Sequence, residues 1–172
     1  MPDLSQPVDD LLADFRAAMR HVAATVYAVT TGHGGDRFGI LATAVSSLSF
    51  DPPSLLVCVN RAASLHAPLA EAQVFCVNVL GLSNRDVAEH FMKDRGADRF
   101  AVGDWEEAHG VPVLATAQSS LVCRTAHRHD FGTHSIFIGE LIAAKHRQDA
   151  TPLTYFDRHY IDISAAPKSS ND

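Results

Sequence analysis

Three cysteines are all that this chain of 172 residues contains, and no two of them stand in a CxxC pair. Cys58 and Cys76 lie inside apolar runs and Cys123 follows one. That pattern reads as buried, reduced thiols in a cytoplasmic protein rather than a disulfide frame or a zinc knuckle. No apolar run approaches the roughly 20 residues that a membrane span requires. The start, Met1-Pro2-Asp3-Leu4-Ser5, lacks the basic and apolar stretches of a secretion signal. Positive charge is scarce too: 14 Lys and Arg against 20 Asp and Glu leave a formal net charge of −6. A phosphate backbone demands a basic surface, so no nucleic-acid partner is expected, whereas one local cluster of donors can still hold a small phosphorylated ligand. GxSxG and HExxH are both missing. So is GxGxxG: the run Gly32-His33-Gly34-Gly35-Asp36 has the wrong spacing and precedes a strand, which makes it a hairpin loop. What is left, with 47 % hydrophobic and 20 % charged residues, is a chain able to bury a core as one domain.

Apolar residues at Val8, Leu11, Leu12, Phe15, Met19 and Val22 recur every three or four positions and predict an amphipathic helix, with Ser5 and Pro7 as its cap and first turn. From Ala24 to Thr31 the chain turns rich in Thr, Val and Tyr and reads as a strand, returning from Phe38 to Thr43. Asp51-Pro52-Pro53 is a rigid break. Ser54 to Asn60 and Val74 to Leu80 are nearly continuous apolar runs, as in central strands, separated by a short helix from Ser64 to Ala72. Ser83 followed by Asp86 resembles a capping box opening a helix to about Met92. Asp94 to Gly110 reads as polar and irregular. Two long strands follow, Ser119 to His127 and Ser135 to Lys145, joined by Arg128 to His134. Short links and few intervening helices predict an antiparallel barrel with peripheral helices. The domain is expected over residues 13–164, after a tail and helix start at 1–12 and before a disordered tail at 165–172.

His127, His129 and His134 raise the question of a metal, since the first two share a strand face. No Cys or carboxylate stands at third and fourth ligand spacing, so solvated or hydrogen-bonded histidines, and no metal, are the expectation. Ala42-Thr43-Ala44-Val45-Ser46-Ser47-Leu48-Ser49 is more unusual, with small hydroxylated residues directly after a strand. It fits a strand edge with local hydroxyl bonds, or a ledge whose small side chains let a flat ring approach backbone amides. Composition leaves the two equal.

The ordered set ATAVSSLSFDPPSLLVCVNRAAS, FCVNVL, DRF, GTHSIFIGEL and PLTYFDRHY resembles the short-chain flavin reductases, over roughly Phe15 to Ile163. These are the small reductase components of two-component flavin-dependent monooxygenases. The resemblance implies an FMN-binding split β-barrel with Greek-key connections, mainly β with peripheral helices, usually a homodimer with flavin near the interface. It implies hydride transfer from NADH or NADPH to FMN or FAD and delivery of reduced flavin to a monooxygenase. The same barrel could instead serve a flavin-binding electron carrier, or a flavoenzyme reducing its own organic substrate. By position, Thr43, Ala44, Val45, Ser46 and Ser47 match the stretch lining the flavin ring. Val59, Asn60, Arg61, Ser64 and Leu65 match the segment reaching the ribityl chain and phosphate, where a helix start and a guanidinium suit an anion. Phe91 and Arg99, the latter in the Asp98-Arg99-Phe100 triplet, match a region near the flavin's far side or its dimer neighbour, with a plain core role equally open for Phe91. His134 matches the nicotinamide side and is the catalytic candidate; Tyr155 and Tyr160 border the same space. Thr133 stands where the family usually carries an acid.

Overall fold

The computed structural model describes residues 8–148 and 151–164. In chain order it comprises α1 (Val8–Arg20), β1 (Ala24–Thr25), β2 (Tyr27–His33), β3 (Asp36–Ala42), β4 (Val45–Phe50), β5 (Pro53–Asn60), α2 (His66–Glu71) and β6 (Val74–Val79). There follow α3 (Arg85–Lys93), β7 (Trp105–Ala108), β8 (Val111–Leu114), β9 (Ser119–Phe131), β10 (His134–His146), β11 (Thr154–Phe156) and β12 (His159–Ile161). A seven-stranded sheet in the order β3-β2-β6-β9-β10-β5-β4 carries the fold, beside a three-stranded sheet β1-β11-β12 and a β7-β8 hairpin. Every ladder is antiparallel. The two end strands of the large sheet, β3 and β4, do not pair with each other, so the barrel is split. The antiparallel expectation holds.

Turn chemistry explains most of the hairpins. Gly34 (φ 61°) and Gly35 (φ 90°) link β2 to β3 in two residues, with His33 opposite Asp36. Positive φ at both central positions is the type I′ requirement, and it shortens the expected 32–36 loop to two residues. The turn between β4 and β5 is Asp51-Pro52, whose peptide is cis. The predicted 128–134 connection also contracts: β9 continues to Phe131 and β10 begins at His134. Past Thr125, whose amide still donates to Gln73 O (2.9 Å), β9 pairs with β10 alone, because its β6 ladder ends at Arg124. Beyond Thr125 this end of β9 is exposed on both faces, which is why its sequence is as polar as a loop.

The main core includes Val29, Val57, Val59, Phe75, Val77 and Phe137 of the large sheet, with Leu65 at the start of α2. A second cluster, with Leu80, Val87, Phe91, Leu114 and Leu153, packs α3 over the end of the barrel. Asn78 is fully buried between them. Its Nδ2 donates to Ala28 O (3.1 Å), and its Oδ1 accepts from the Leu114 amide at 2.9 Å. Both ends of the amide are thus satisfied, which ties β8 to β2 and β6.

Four details differ from the sequence reading. Asp94–Gly110 is not wholly irregular: a 3-10 segment covers Gly96–Ala101, and Trp105–Ala108 pairs with an unforeseen strand at Val111–Leu114. The cap of α3 is Asn84 rather than Ser83, and Asn84 Oδ1 instead accepts from the Gly81 amide (3.0 Å). The first short helix covers only His66–Glu71, so Ser64 precedes its N-cap, Leu65. The amphipathic helix at the start does form, yet none of its residues is buried: Val8, Leu11, Leu12, Phe15 and Met19 all stay exposed. Ser5 and Pro7 and the 165–172 tail lie outside the described residues.

Candidate functional site

Only Thr43 and Ala44 separate the two end strands of the large sheet. The chain passes there from one edge to the other, after the last rung of the β2–β3 ladder and before the first of the β4–β5 ladder. Among the described residues, the amides of Thr43 and Ala44 consequently meet no hydrogen-bond acceptor, while the Ala44 carbonyl accepts from Cys58 N (2.9 Å) and the Thr43 carbonyl from Val45 N (3.0 Å). Both residues are exposed, so the two adjacent donors stand open to solvent or to a ligand.

A cleft of about 400 Å³ opens over these amides, within the usual range for small-molecule sites. Ile40, Leu41 and Ala42 of β3 form its floor together with Ala44 and Ala63, and Cys58 and Asn60 form a wall. On β5 the inward row is Val57 and Val59, and the alternation turns Cys58 and Asn60 the other way, toward the cleft. Phe91, Met92, Arg99 and His134 close the opposite sides. A second hollow of about 210 Å³ continues it, sharing Leu41, Ala42, Thr43 and Met92 and adding Val26, Tyr155 and Tyr160. The two form one groove running along the end of β3. The tyrosines face each other across β11 and β12 with ring centroids 5.7 Å apart. Burial, then the neighbouring Tyr155, pushes the Tyr160 phenol up.

Arg99 is the groove's buried cation, only 9 % exposed. Its Nε donates to Asp94 O (3.0 Å) and its Nη1 to Gly39 O. These bonds fix the 3-10 segment to β3, but no carboxylate pairs with the guanidinium among the described residues. Burial pushes its pKa down. A buried charge without a counter-charge is costly, and an anionic or electron-rich ligand in the groove would relieve it.

The rim is held by a chain of side chains. Arg128 donates to Asp130 through Nε (2.8 Å) and Nη2 (2.7 Å), and Ser135 Oγ donates to Asp130 Oδ1 at 2.6 Å. The Ser135 proton is thereby used, so the 2.7 Å contact from His66 Nε2 must be an N–H donating to Ser135 Oγ. This chain pins the β9–β10 ribbon to the start of α2. The Arg128 guanidinium, then Ser135, holds the Asp130 carboxyl well below the usual carboxylate range. Burial, then Arg128, lowers the pKa of His66 and favours its neutral ring.

The sequence-predicted residues divide. Thr43, Ala44, Asn60, Phe91, Arg99, His134, Tyr155 and Tyr160 all come together on the groove. Val45, Ser46 and Ser47 face a separate hollow of about 420 Å³ beside β4. Arg61 and Ser64 are exposed on the turn just past Asn60, beyond the groove lining. Val59 and Leu65 are fully buried in the core, leaving only their backbone for any ligand. Cys58, Ala63 and Met92 were not foreseen. Met92 offered a signal, being a methionine beside the buried stripe Val87-Ala88-Phe91 and itself 67 % exposed. No group of three or more His, Cys, Asp or Glu that could hold a metal occurs among the described residues.

The thiols give a direct check on this geometry. Burial pushes Cys76 and Cys123 up to about 12, and only the thiolate attacks alkylating reagents. In the folded protein Cys58 is therefore expected to label first, and a groove ligand to slow it. Peptide mass spectrometry reads the order, and labelling of Cys76 or Cys123 ahead of Cys58 would contradict the assignment.

Sequence and structure comparisons meet on the same answer. Residues 19–164 match the flavin reductase-like domain family, and the chain belongs to it. It is an oxidoreductase of the flavin reductase type. Among its relatives, the FMN reductase (NADH) RutF of Pseudomonas syringae pv. syringae is 41 % identical over 148 residues, covering 85 % of this chain and 83 % of the relative. The FMN reductase (NADH) RutF 1 of a Methylorubrum extorquens strain is 41 % identical over 169 residues, or 96 % and 82 %. Of solved structures, the NADH:FAD oxidoreductase of Streptomyces globisporus C-1027, in complex with NAD and FAD fragments, superposes with a TM-score of 0.85. It is 27 % identical over 96 % of this chain and 99 % of that one. BorF, the flavin reductase component of a bacterial two-component tryptophan halogenase, gives 0.79 at 28 % identity over 88 % and 97 %.

Proposed function

We propose that the groove binds flavin, FMN in preference to FAD, and that NADH reduces it there by hydride transfer. The unpaired amides of Thr43 and Ala44 carry this reading. They are preorganised donors for a flat, electron-rich ring edge, on a floor of alanines small enough for a ring to reach the backbone. The names of the relatives favour FMN and NADH over the alternatives.

Flavin, when bound, supplies the hydride-accepting centre, and the chain supplies binding, orientation and field. Arg99 is the nearest buried positive charge for the electron density gained on reduction. Met92, Tyr155 and Tyr160 exclude water from one end of the groove. Arg61 and Ser64, on the exposed turn beyond Asn60, take the ligand's phosphate. His134, exposed at the mouth, orients the nicotinamide. Reduced flavin then passes to a separate monooxygenase; a neighbour named as the flavin reductase component of a two-component tryptophan halogenase supports a separate acceptor enzyme. The domain is taken as residues 13–164, in a cytoplasmic homodimer. The uncovered apolar row of α1 and the exposed Phe50 and Phe131 support the dimer.

Purified protein assayed with NADH and NADPH, alone and with added FMN, FAD or riboflavin, tests this reading. Turnover that needs added flavin and is fastest with FMN and NADH is expected, from a species of twice the chain mass in sedimentation. A tightly bound yellow flavin with no NAD(P)H oxidation would replace the reductase with a carrier. No flavin binding at all would overturn it, and a monomeric mass would remove the dimer.

A further inference from the structure

Thr133 sits at the tip of the β9–β10 ribbon, in a two-residue turn with Gly132 (φ 55°) between the paired Phe131 and His134. Glycine at the first central position is what a type II′ hairpin requires, so the turn geometry is set by Gly132 and leaves the Thr133 side chain free for another task. Two of its atoms are engaged. The Thr133 carbonyl accepts from the Arg61 amide at 2.9 Å, which ties the turn to the segment after β5. The Thr133 hydroxyl lies 2.9 Å from His134 Nδ1 and has no other partner among the described residues. His134 is itself paired with Asn60 across β10 and β5, and its side chain lines the groove.

We propose that Thr133 is the positioning residue of His134: its hydroxyl donates to Nδ1, locking the ring in the Nε2–H tautomer and presenting that N–H to the groove. The assignment rests on the reductase reading above. A neutral imidazole carries one donor and one acceptor nitrogen, and the bond made by one nitrogen decides the role of the other. With Nδ1 occupied as acceptor, Nε2 becomes a donor suited to a carbonyl or carboxamide oxygen of the bound ligand. A hydroxyl does this without placing a formal negative charge at the mouth, as a carboxylate would. The ring is exposed, and this is the one side-chain hydrogen bond of His134 among the described residues.

The experiment combines kinetics with ring-nitrogen NMR on three full-length proteins: wild type, Thr133→Val and Thr133→Ser. Valine keeps the shape and removes the hydroxyl, and the main-chain link to Arg61 survives in both variants. Thr133→Val is expected to lower kcat for NADH-dependent flavin reduction roughly five- to tenfold, the worth of about one neutral hydrogen bond, with KM for NADH and FMN affinity within about twofold. Thr133→Ser is expected to restore the rate. In flavin-free wild type and in Thr133→Ser, long-range ¹H–¹⁵N spectra should show His134 as the Nε2–H tautomer. In Thr133→Val they should show a tautomer mixture. Wild-type kinetics in Thr133→Val, failure of serine to rescue, or an Nδ1–H tautomer in wild type would each overturn the assignment. If wild type does not oxidise NADH with any flavin, the reductase reading fails by itself. The NMR comparison then still decides for or against the Thr133 lock.

Discussion

His134→Ala is expected to slow reduction of flavin by NADH roughly 10- to 100-fold while leaving FMN affinity within about threefold. The magnitude is that of losing one orienting contact on a hydride-transfer geometry, where small misplacements are expensive. The separation follows from position. His134 is exposed at the groove mouth on β10, whereas the amides of Thr43 and Ala44 and the Arg99 guanidinium lie at the floor and inner wall. Stopped-flow absorbance gives the reduction rate, and quenching of flavin fluorescence gives the affinity. Equal loss of both would mean that His134 holds the flavin instead, and an unchanged rate would remove it from the reaction.

Gly139→Ala carries the second large effect, this time on stability. A Cβ at Gly139 would sit 2.5 Å from Phe75 Cζ and 2.7 Å from Cys123 Cβ, closer than real Cβ atoms come to any neighbour. Phe75 and Cys123 are both completely buried, so neither can swing into solvent. The strands also shift register there, between Ile138 and Gly139, bringing β9 close against β10. Overpacking of this kind costs about 1–3 kcal/mol, and Gly139→Val should exceed it. Urea denaturation measures the loss. The double variant Gly139→Ala/Phe75→Leu should recover part of it, because the two changes share one clash and are not additive. A Gly139→Ala protein of wild-type stability would refute the packing described here.

Strong local patterns made most of the fold legible in the sequence. The glycine pair at 34–35, the apolar runs at 54–60 and 74–80 and the prolines at 52–53 each dictate a backbone state by themselves, and their order left an antiparallel barrel. The β7–β8 hairpin escaped notice because Trp105–Ala108 is short and half polar, and its His109-Gly110 turn places a non-glycine residue at φ 55°. The end of β9, from Arg128 to Phe131, read as part of a loop because a strand segment without a buried face has no alternation to show. At the site, chemistry was easier to see than placement. Thr43, Ala44, Asn60, Arg99 and His134 were matched through the family resemblance, motif by motif, where residue type alone left the Thr43 segment evenly poised. Whether Ser46 and Ser47 share the groove with Thr43 depends on where one edge strand begins, and residue types do not carry that. Arg99 illustrates the same limit from the other side: its isolation from carboxylates exists only once β3, α3 and the 3-10 segment are assembled.

The seam between β3 and β4 has a consequence for how the groove fills and empties. Everywhere else around the barrel, moving one strand away from its neighbour breaks a ladder. Along this line there is none to break, since the end strands are joined only through Thr43 and Ala44. A ligand seated on those two residues can arrive and depart sideways while the rest of the sheet stays rigid. Its residence is then set by the few contacts it makes and not by any opening of the protein.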